Sequence, residues 1–405
     1  VSAPPTPRGG EGLAKAADVA PVIGYNAGAT EDPMPALLAL LACASDYNLK
    51  NGPVDVNPGD VTACPFTQVE DTPFYRYDCN PVFPAQGNPD AAWASDVVDV
   101  TFAVTEVMEH PFYQAWYVGA NESSDGYSGI GYAVSPDGTG WTTHPQNPVF
   151  QETAANAWDG DTMAGLQVVW DATRAAYVMV YQGINFGRNT WGMGVATSPD
   201  GVTWEKQAGN PVVDFTTQLT DLHWCWPLGL TASGDGNYTG YIAGQPIYDI
   251  WDPEYYEGRQ TCDVYRVQST GLGTWTVEPT PVFGAAANGA WDDTGFTSIA
   301  IEELDGVTYM FYVGFGDWEQ HTGYVSASGT FLGYATLEGG SWVRQGRVPL
   351  NMTTDGDVRA VAARRVGTRI HLWVTDAYPG EDAAADPQAG VGYFLFDPNA
   401  TTAAE

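Results

Sequence analysis

Basic residues are scarce in this chain. Its 405 residues carry 15 Lys and Arg against 49 Asp and Glu, a formal net charge of −34. Nucleic acid is excluded as a partner on this ground, because phosphate contacts need clustered Lys and Arg. An anionic membrane surface would repel the chain as well. A neutral or cationic ligand, or a divalent cation, fits better. Most of the charge reads as a solvated acidic surface that keeps an exported or salt-adapted protein soluble. Histidine is also rare, five in all, and His110, His144 and His371 show no partner pattern. No C-x-x-C pair occurs, so a zinc site of the usual spacing is not indicated. The apolar run Ala36–Ala42 before Cys43 is far too short to span a bilayer.

What the chain has instead is glycine (47), proline (28), 13% aromatics and 44% hydrophobic residues. That is a globular composition, and it suits many short strands and turns better than long helices. The length allows one large domain or two ordinary ones.

The strands fall into a repeat. A proline followed by an apolar pair recurs at Pro81, Pro148, Pro211 and Pro281, and again as Pro349-Leu350, with a period of about 60–70 residues. Six or seven residues before the later ones stands a tryptophan: Trp141, Trp204, Trp275 and Trp342. Each unit carries similar runs rich in Val, Tyr, Phe, Trp and Thr, such as Thr162–Trp170, Tyr177–Gly183 and Gly192–Ser198 in the second. Ser135-Pro-Asp-Gly138 and Ser198-Pro-Asp-Gly201 are turns with a mechanism: Pro sets φ, Asp folds back on its own backbone, and Gly supplies positive φ. About four strands per unit at this period indicate propeller blades.

The fold expected is therefore all-β: a five-bladed β-propeller of four-stranded antiparallel blades over residues 74–398. The blades run at about 80–146, 147–209, 210–279, 280–347 and 348–398. The fifth lacks its own closing strand. Phe74-Tyr-Arg-Tyr-Asp-Cys79 stands where that strand is needed, so an N-terminal strand closes the ring and leaves no exposed edge. Residues 44–73 read as a polar tether and lead-in, and 399–405 as a tail. A closed ring needs no partner, and a monomer is expected.

Residues 1–43 read as a leader. The run ending Leu40-Leu41-Ala42-Cys43 has the length of a signal-peptide core and resembles a bacterial lipoprotein cleavage site, at which Cys43 is lipidated. The protein is then exported, extracellular or at the cell surface, and touches membrane only through that anchor. The other cysteines, Cys64, Cys79, Cys225 and Cys262, allow three pairings, of which Cys64 with Cys79 and Cys225 with Cys262 is the most local.

In a propeller the first strand of each blade lines the axis, and here the strand starts are acidic. Asp96 follows Ala92-Trp93 as Asp161 follows Ala157-Trp158; Asp159 corresponds to Asp292, with Asp293 beside it; Asp221 precedes His223; Asp355 and Asp357 flank Gly356. Crowded carboxylates are costly unless paired, protonated or bound to a cation, which makes the cluster a candidate site. The plainer alternative is that each Asp caps its own turn. Aromatic residues stand near the acids, namely Trp158, Trp224 and Trp291, with Trp251 in the insertion 245–260; sugar rings stack on such faces, although packing explains tryptophan equally well.

The units resemble the five-bladed propeller glycoside hydrolases: family 43, the fructan-cleaving families 32 and 68, and the agar-oligosaccharide family 117. The resemblance covers roughly residues 80–398. It rests on Trp116-Tyr-Val-Gly119 and Tyr312-Val-Gly314, the turns at 131–138 and 194–201, and the Trp…Asn-Pro-Val hand-over. It implies a hydrolase of oligo- or polysaccharides needing no cofactor. Asp96 would be the base that activates water, and Asp161 the group that tunes and orients. Family 43 places a Glu acid in the third blade, but Thr220–Trp226 contains none, so Asp221 or His223 stands in as proton donor; family 117 uses a His. Trp158, Asp159, Trp224, Trp251, Trp291, Asp292, Asp293 and Asp357 are the candidate substrate-binding residues. Two other readings share these residues: a non-catalytic carbohydrate-binding or scaffold propeller, and a propeller whose channel aspartates hold Ca2+.

Overall fold

A computed structural model describes residues 64–69, 71–83, 93–94, 96–107, 110–120, 127–216, 222–233, 235–246, 261–287, 290–316, 330–350, 358–378 and 388–400. Several strand ends among these, Asp96 and residues 222–226 included, are described by their backbone alone. The described residues form five antiparallel sheets and one 3-10 turn, a five-bladed β-propeller.

Two short strands, β1 (Phe66–Gln68) and β2 (Phe74–Tyr77), come first. Blade I is β3 (Asp96–Val107), β4 (His110–Ala120), β5 (Tyr127–Ser135) and β6 (Thr142–Thr143). Blade II is β7 (Thr162–Asp171), β8 (Ala176–Asn185), β9 (Thr190–Ser198) and β10 (Glu205–Lys206), with β11 (Val213–Asp214) also paired to β9. Blade III is β12 (Leu222–Ala232), β13 (Asn237–Pro246), β14 (Asp263–Thr270) and β15 (Trp275–Val277). Blade IV is β16 (Gly295–Leu304), β17 (Val307–Phe315), β18 (Thr330–Glu338) and β19 (Ser341–Arg347). Blade V is β20 (Ala360–Val366), β21 (Arg369–Tyr378) and β22 (Gln388–Phe396), completed by β2 and β1 in the order β1-β2-β22-β21-β20.

The ring is thus closed by the N-terminal strand, in register Phe74 to Phe396 and Arg76 to Phe394. The Cys64–Cys79 disulfide ties the two ends of the β1–β2 hairpin together. Each first strand packs on the first strands of both neighbours: β3 on β7, β7 on β12, β12 on β16, β16 on β20, and β20 on β3. These five strands surround the axis.

Second strands read as continuous apolar runs because neighbouring blades cover both of their faces. Tyr177–Gly183 is buried throughout, as is Tyr309–Phe315. The core lies between blades. At the seam of V and I, Trp373 stacks on Phe102 with ring centroids 4.4 Å apart. Seams II–III and III–IV are filled by Val195, Tyr238 and Ile242, and by Phe283, Phe296 and Tyr312.

The Asn-Pro hand-over has a structural reason. The side-chain amides of Asn80, Asn147 and Asn210 act as an extra strand residue. Each Oδ1 accepts a backbone N–H on a third strand, or its β22 equivalent, and each Nδ2 donates to the same residue's carbonyl: Tyr393, Tyr132 and Val195 respectively. An amide carries both a donor and an acceptor, which a carboxylate does not. The Ser-Pro-Asp-Gly turns also hold seams together. Trp141 and Trp373 both donate Nε1–H to the Gly138 carbonyl, and Trp204 and Trp116 to that of Gly201.

Candidate active site at the mouth of the first strands

The five blades repeat one up-and-down order, so their first strands begin at one mouth. Asp96 is the first residue of β3 and pairs with Ala120. Asp161 directly precedes β7, and His223 is the second residue of β12, paired with Gln245. Three consecutive blades thereby bring an acid, an acid and an imidazole to equivalent strand starts. Asp221, Trp251 and Asp357 lie outside the described residues, as does Cys43; the side chains of Asp96, His223, Trp224 and Cys225 do too.

Asp161 is exposed. Its Oδ2 accepts the backbone N–H of Phe186 at 2.6 Å and of Gly187 at 3.4 Å, in the 3-10 turn Phe186–Arg188 that joins β8 to β9. That turn is held from beneath by Asn185, which is 2% exposed. Its Oδ1 accepts from Arg188 N–H, and its Nδ2 donates to the carbonyls of Ala155 and Ala157. The Asp161 carboxylate is therefore fixed in direction while open to solvent.

Asp159 and Asp292 have a different position. They are 0% and 1% exposed. The Asp159 carboxylate accepts from Lys206 Nζ at 2.7 Å, Thr153 Oγ1 at 3.0 Å and Tyr181 OH at 3.3 Å. Asp292 accepts from Arg344 Nε at 2.7 Å and Tyr312 OH at 3.0 Å. Burial, and after it the neighbouring carboxylate, pushes the Tyr181 and Tyr312 phenols well above their ordinary range, so both remain donors. The expectation that Asp159 and Asp292 hold substrate is corrected here. A carboxylate sealed inside a blade and neutralised by a cation has no face for a sugar hydroxyl. Asp293 is also buried and accepts from Thr294 Oγ1.

The tryptophans of the same steps lie flat on second strands. Trp291 stacks on Tyr312 at 5.6 Å and 10°, Trp158 lies tilted on Tyr181, and Trp93 stacks on Tyr117. A side chain at Gly183 would put a Cβ 2.5 Å from the Trp158 ring, which is why that position is glycine. Trp158 and Trp291 are half-buried packing plates.

Arg364 spans the axis towards its other end. Arg364 on β20 donates to Glu302 on β16 at 3.2 Å and to the Val168 carbonyl on β7 at 3.3 Å. Blades V and II are not neighbours, so the guanidinium lies across the axis. Val168 is roughly 20 Å along β7 from its start, at about 3.3 Å per residue. Burial raises the Glu302 carboxyl above its ordinary value, with Arg364 pulling it back.

Cys262 is a free, buried thiol, in place of the expected pairing with Cys225, and burial pushes its pKa up to about 12. Such a thiol is neutral and unreactive at ordinary pH. Asp159 and Asp292 already face cations, and among the described residues no group of three or more His, Cys, Asp or Glu is arranged to hold a metal. Sequence reasoning missed Lys206 and Arg344. The signal was available, because each stands two residues after a closing tryptophan in a blade that has the Trp-Asp step.

No family model matches the chain, and no curated protein matches its sequence. Solved structures do share its fold. A glycosyl hydrolase from Bacteroides ovatus superposes with a TM-score of 0.54 at 18% identity, over 84% of this chain and 97% of that one. An N-acetylgalactosamine deacetylase from F. plautii, in complex with blood group B trisaccharide, gives 0.53 at 14% identity, over 74% and 89%. A BT0996 RGII complex gives 0.52 at 15% identity, over 76% and 89%. The chain has the five-bladed propeller fold found in glycoside hydrolases.

Proposed function

We propose that the protein is a glycan-active enzyme that hydrolyses glycosidic bonds of oligo- or polysaccharides at the mouth of its first strands. The observation that supports the reading is that Asp96, Asp161 and His223 stand at the first-strand starts of three consecutive blades.

The chemistry proposed is inversion. Asp96 takes a proton from water, the water attacks the anomeric carbon, and His223 or Asp221 protonates the departing oxygen. This needs the base and acid about 6.5–9.5 Å apart to admit the water. Asp161, aimed by the Phe186 and Gly187 amides, orients the reacting sugar. No cofactor takes part. The acidic surface disfavours nucleic acid, and the Cys64–Cys79 disulfide supports an oxidising compartment, in keeping with export, a Cys43 anchor and a monomeric ring.

The test is hydrolysis of aryl glycosides and of plant and algal oligosaccharides by wild type and Asp96→Asn. Turnover by wild type that drops by about 10³-fold or more in the variant is expected, on the order of what one catalytic group contributes. Equal inertness of both across a broad panel would falsify the enzyme reading. The lack of a Glu in Thr220–Trp226 favours a second reading, a carbohydrate-binding propeller, which predicts glycan binding that survives Asp96→Asn. Calcium at the undescribed acidic positions is a third; it predicts a Tm lowered by chelator.

A further inference from the structure

We infer that Phe186 is a stacking platform for a neutral sugar ring, acting with Asp161 as one subsite at the rim of the mouth. The inference rests on the glycan-active reading above. Phe186 is 66% exposed, the most exposed large hydrophobic side chain among the described residues. An exposed phenylalanine on a frayed loop tip would need no explanation. This one stands on a braced turn. Asn185 caps the turn, Asn189 ends it in the left-handed region at φ 52°, and Arg188 Nη1 donates to the Asn156 carbonyl at 3.1 Å.

The ring is also tied to a charge. The backbone N–H of Phe186 itself donates to Asp161 Oδ2, so the residue that carries the ring is bonded directly to the carboxylate. Both of these backbone bonds, from Phe186 and Gly187, fall on Oδ2, and Asp161 is exposed. An apolar ring beside a fixed, solvent-facing carboxylate matches the two sides of a pyranose or furanose. C–H groups lie on the ring face and hydroxyls donate to the acid. Because the turn is held before any ligand arrives, little ordering is lost on binding. Other occupants fit worse. A base stacked on Phe186 would bring its phosphate towards Asp161 in a chain of net charge −34. A lone phenylalanine flanked by a carboxylate is not a membrane anchor either.

The experiment measures dissociation constants for neutral arabino-, xylo-, galacto- and fructo-oligosaccharides by calorimetry and saturation-transfer NMR. Wild type, Phe186→Ala and Phe186→Trp are compared, with Tm as a check on folding. Phe186→Ala is expected to weaken the sugar that wild type binds by about tenfold, the size of one aromatic contact. Phe186→Trp should keep or tighten it, and Tm should stay put because the side chain is exposed. Binding by Phe186→Ala within about twofold of wild type overturns the platform and leaves the glycan reading standing. If wild type binds none of the sugars, the glycan reading fails and the platform goes with it.

Discussion

Blades I and II are built on the same Trp–Tyr plate, yet they differ at one pair of positions. In blade II, Asp159 follows Trp158, and Lys206 follows the closing Trp204 by two. In blade I the same positions hold Ala94 and Thr143. Blade IV repeats the charged version with Asp292 and Arg344. The plates are alike: Trp93 on Tyr117, Trp158 on Tyr181 and Trp291 on Tyr312. An ion pair is therefore not needed to close a blade of this kind. Acid and base are present together in II and IV and absent together in I. That is what desolvation demands, since a buried carboxylate without its cation is far worse than no carboxylate. The comparison also separates the acids of this chain. Those locked inside blades are structural, whereas Asp161 beside the start of β7 is open to solvent.

The largest effect should come from breaking one half of the pair. Lys206→Thr leaves Asp159 buried and unpaired and should destabilise the protein by about 3–5 kcal/mol in urea unfolding. Asp159→Ala combined with Lys206→Thr copies blade I and should recover most of that loss. Equal losses for the single and double variants would show that the two residues are not coupled.

Next comes the seam where blade I meets blade V. His371 Nδ1 lies 2.6 Å from Tyr393 OH and 3.3 Å from Tyr113 OH. Burial first, and Arg369 second, lower the His371 pKa from 6.5 to about 4. The folded state thus prefers neutral imidazole, and between these values the unfolded chain binds more protons. Stability contributed by this residue is full above pH 6.5 and is lost as pH falls towards about 4. The change is about 3 kcal/mol over that window. Tm measured against pH should flatten there in His371→Gln; an unchanged slope would count against the assignment.

The smallest effect compares two turns. Gly138 and Gly201 have φ of +80° and +78°, so alanine is strained at both by roughly 1–2 kcal/mol. A Cβ at Gly201 would also meet Trp116 at 2.7 Å, against 3.1 Å from Trp373 at Gly138. Gly201→Ala should therefore lower Tm more than Gly138→Ala, and the reverse order would mean that the Trp116 seam yields more readily than its geometry implies.

Much of this fold could be read from local chemistry. Strand composition, Pro-Asp-Gly turns and the tryptophan spacing each speak through residues close in sequence, and they led to five blades, to Phe74–Tyr77 as the closing strand and to the Cys64–Cys79 bridge. The site was legible only as a set of acids. Asp159 and Asp161 are two residues apart and look alike on paper, yet one is sealed and the other open. Phe186 gave no sign, because exposure is not a local property.

The amino-acid order alone determined the period, the up-and-down blades and the way the ring is shut, since φ preferences, side-chain alternation and turn residues act over a few neighbours. Only the tertiary structure decided which carboxylates are neutralised and which stay open to solvent, that Arg364 reaches across the axis to Val168, and that Cys262 remains a thiol. Those outcomes depend on groups from distant strands meeting within a few ångströms, and on how much water is left between them.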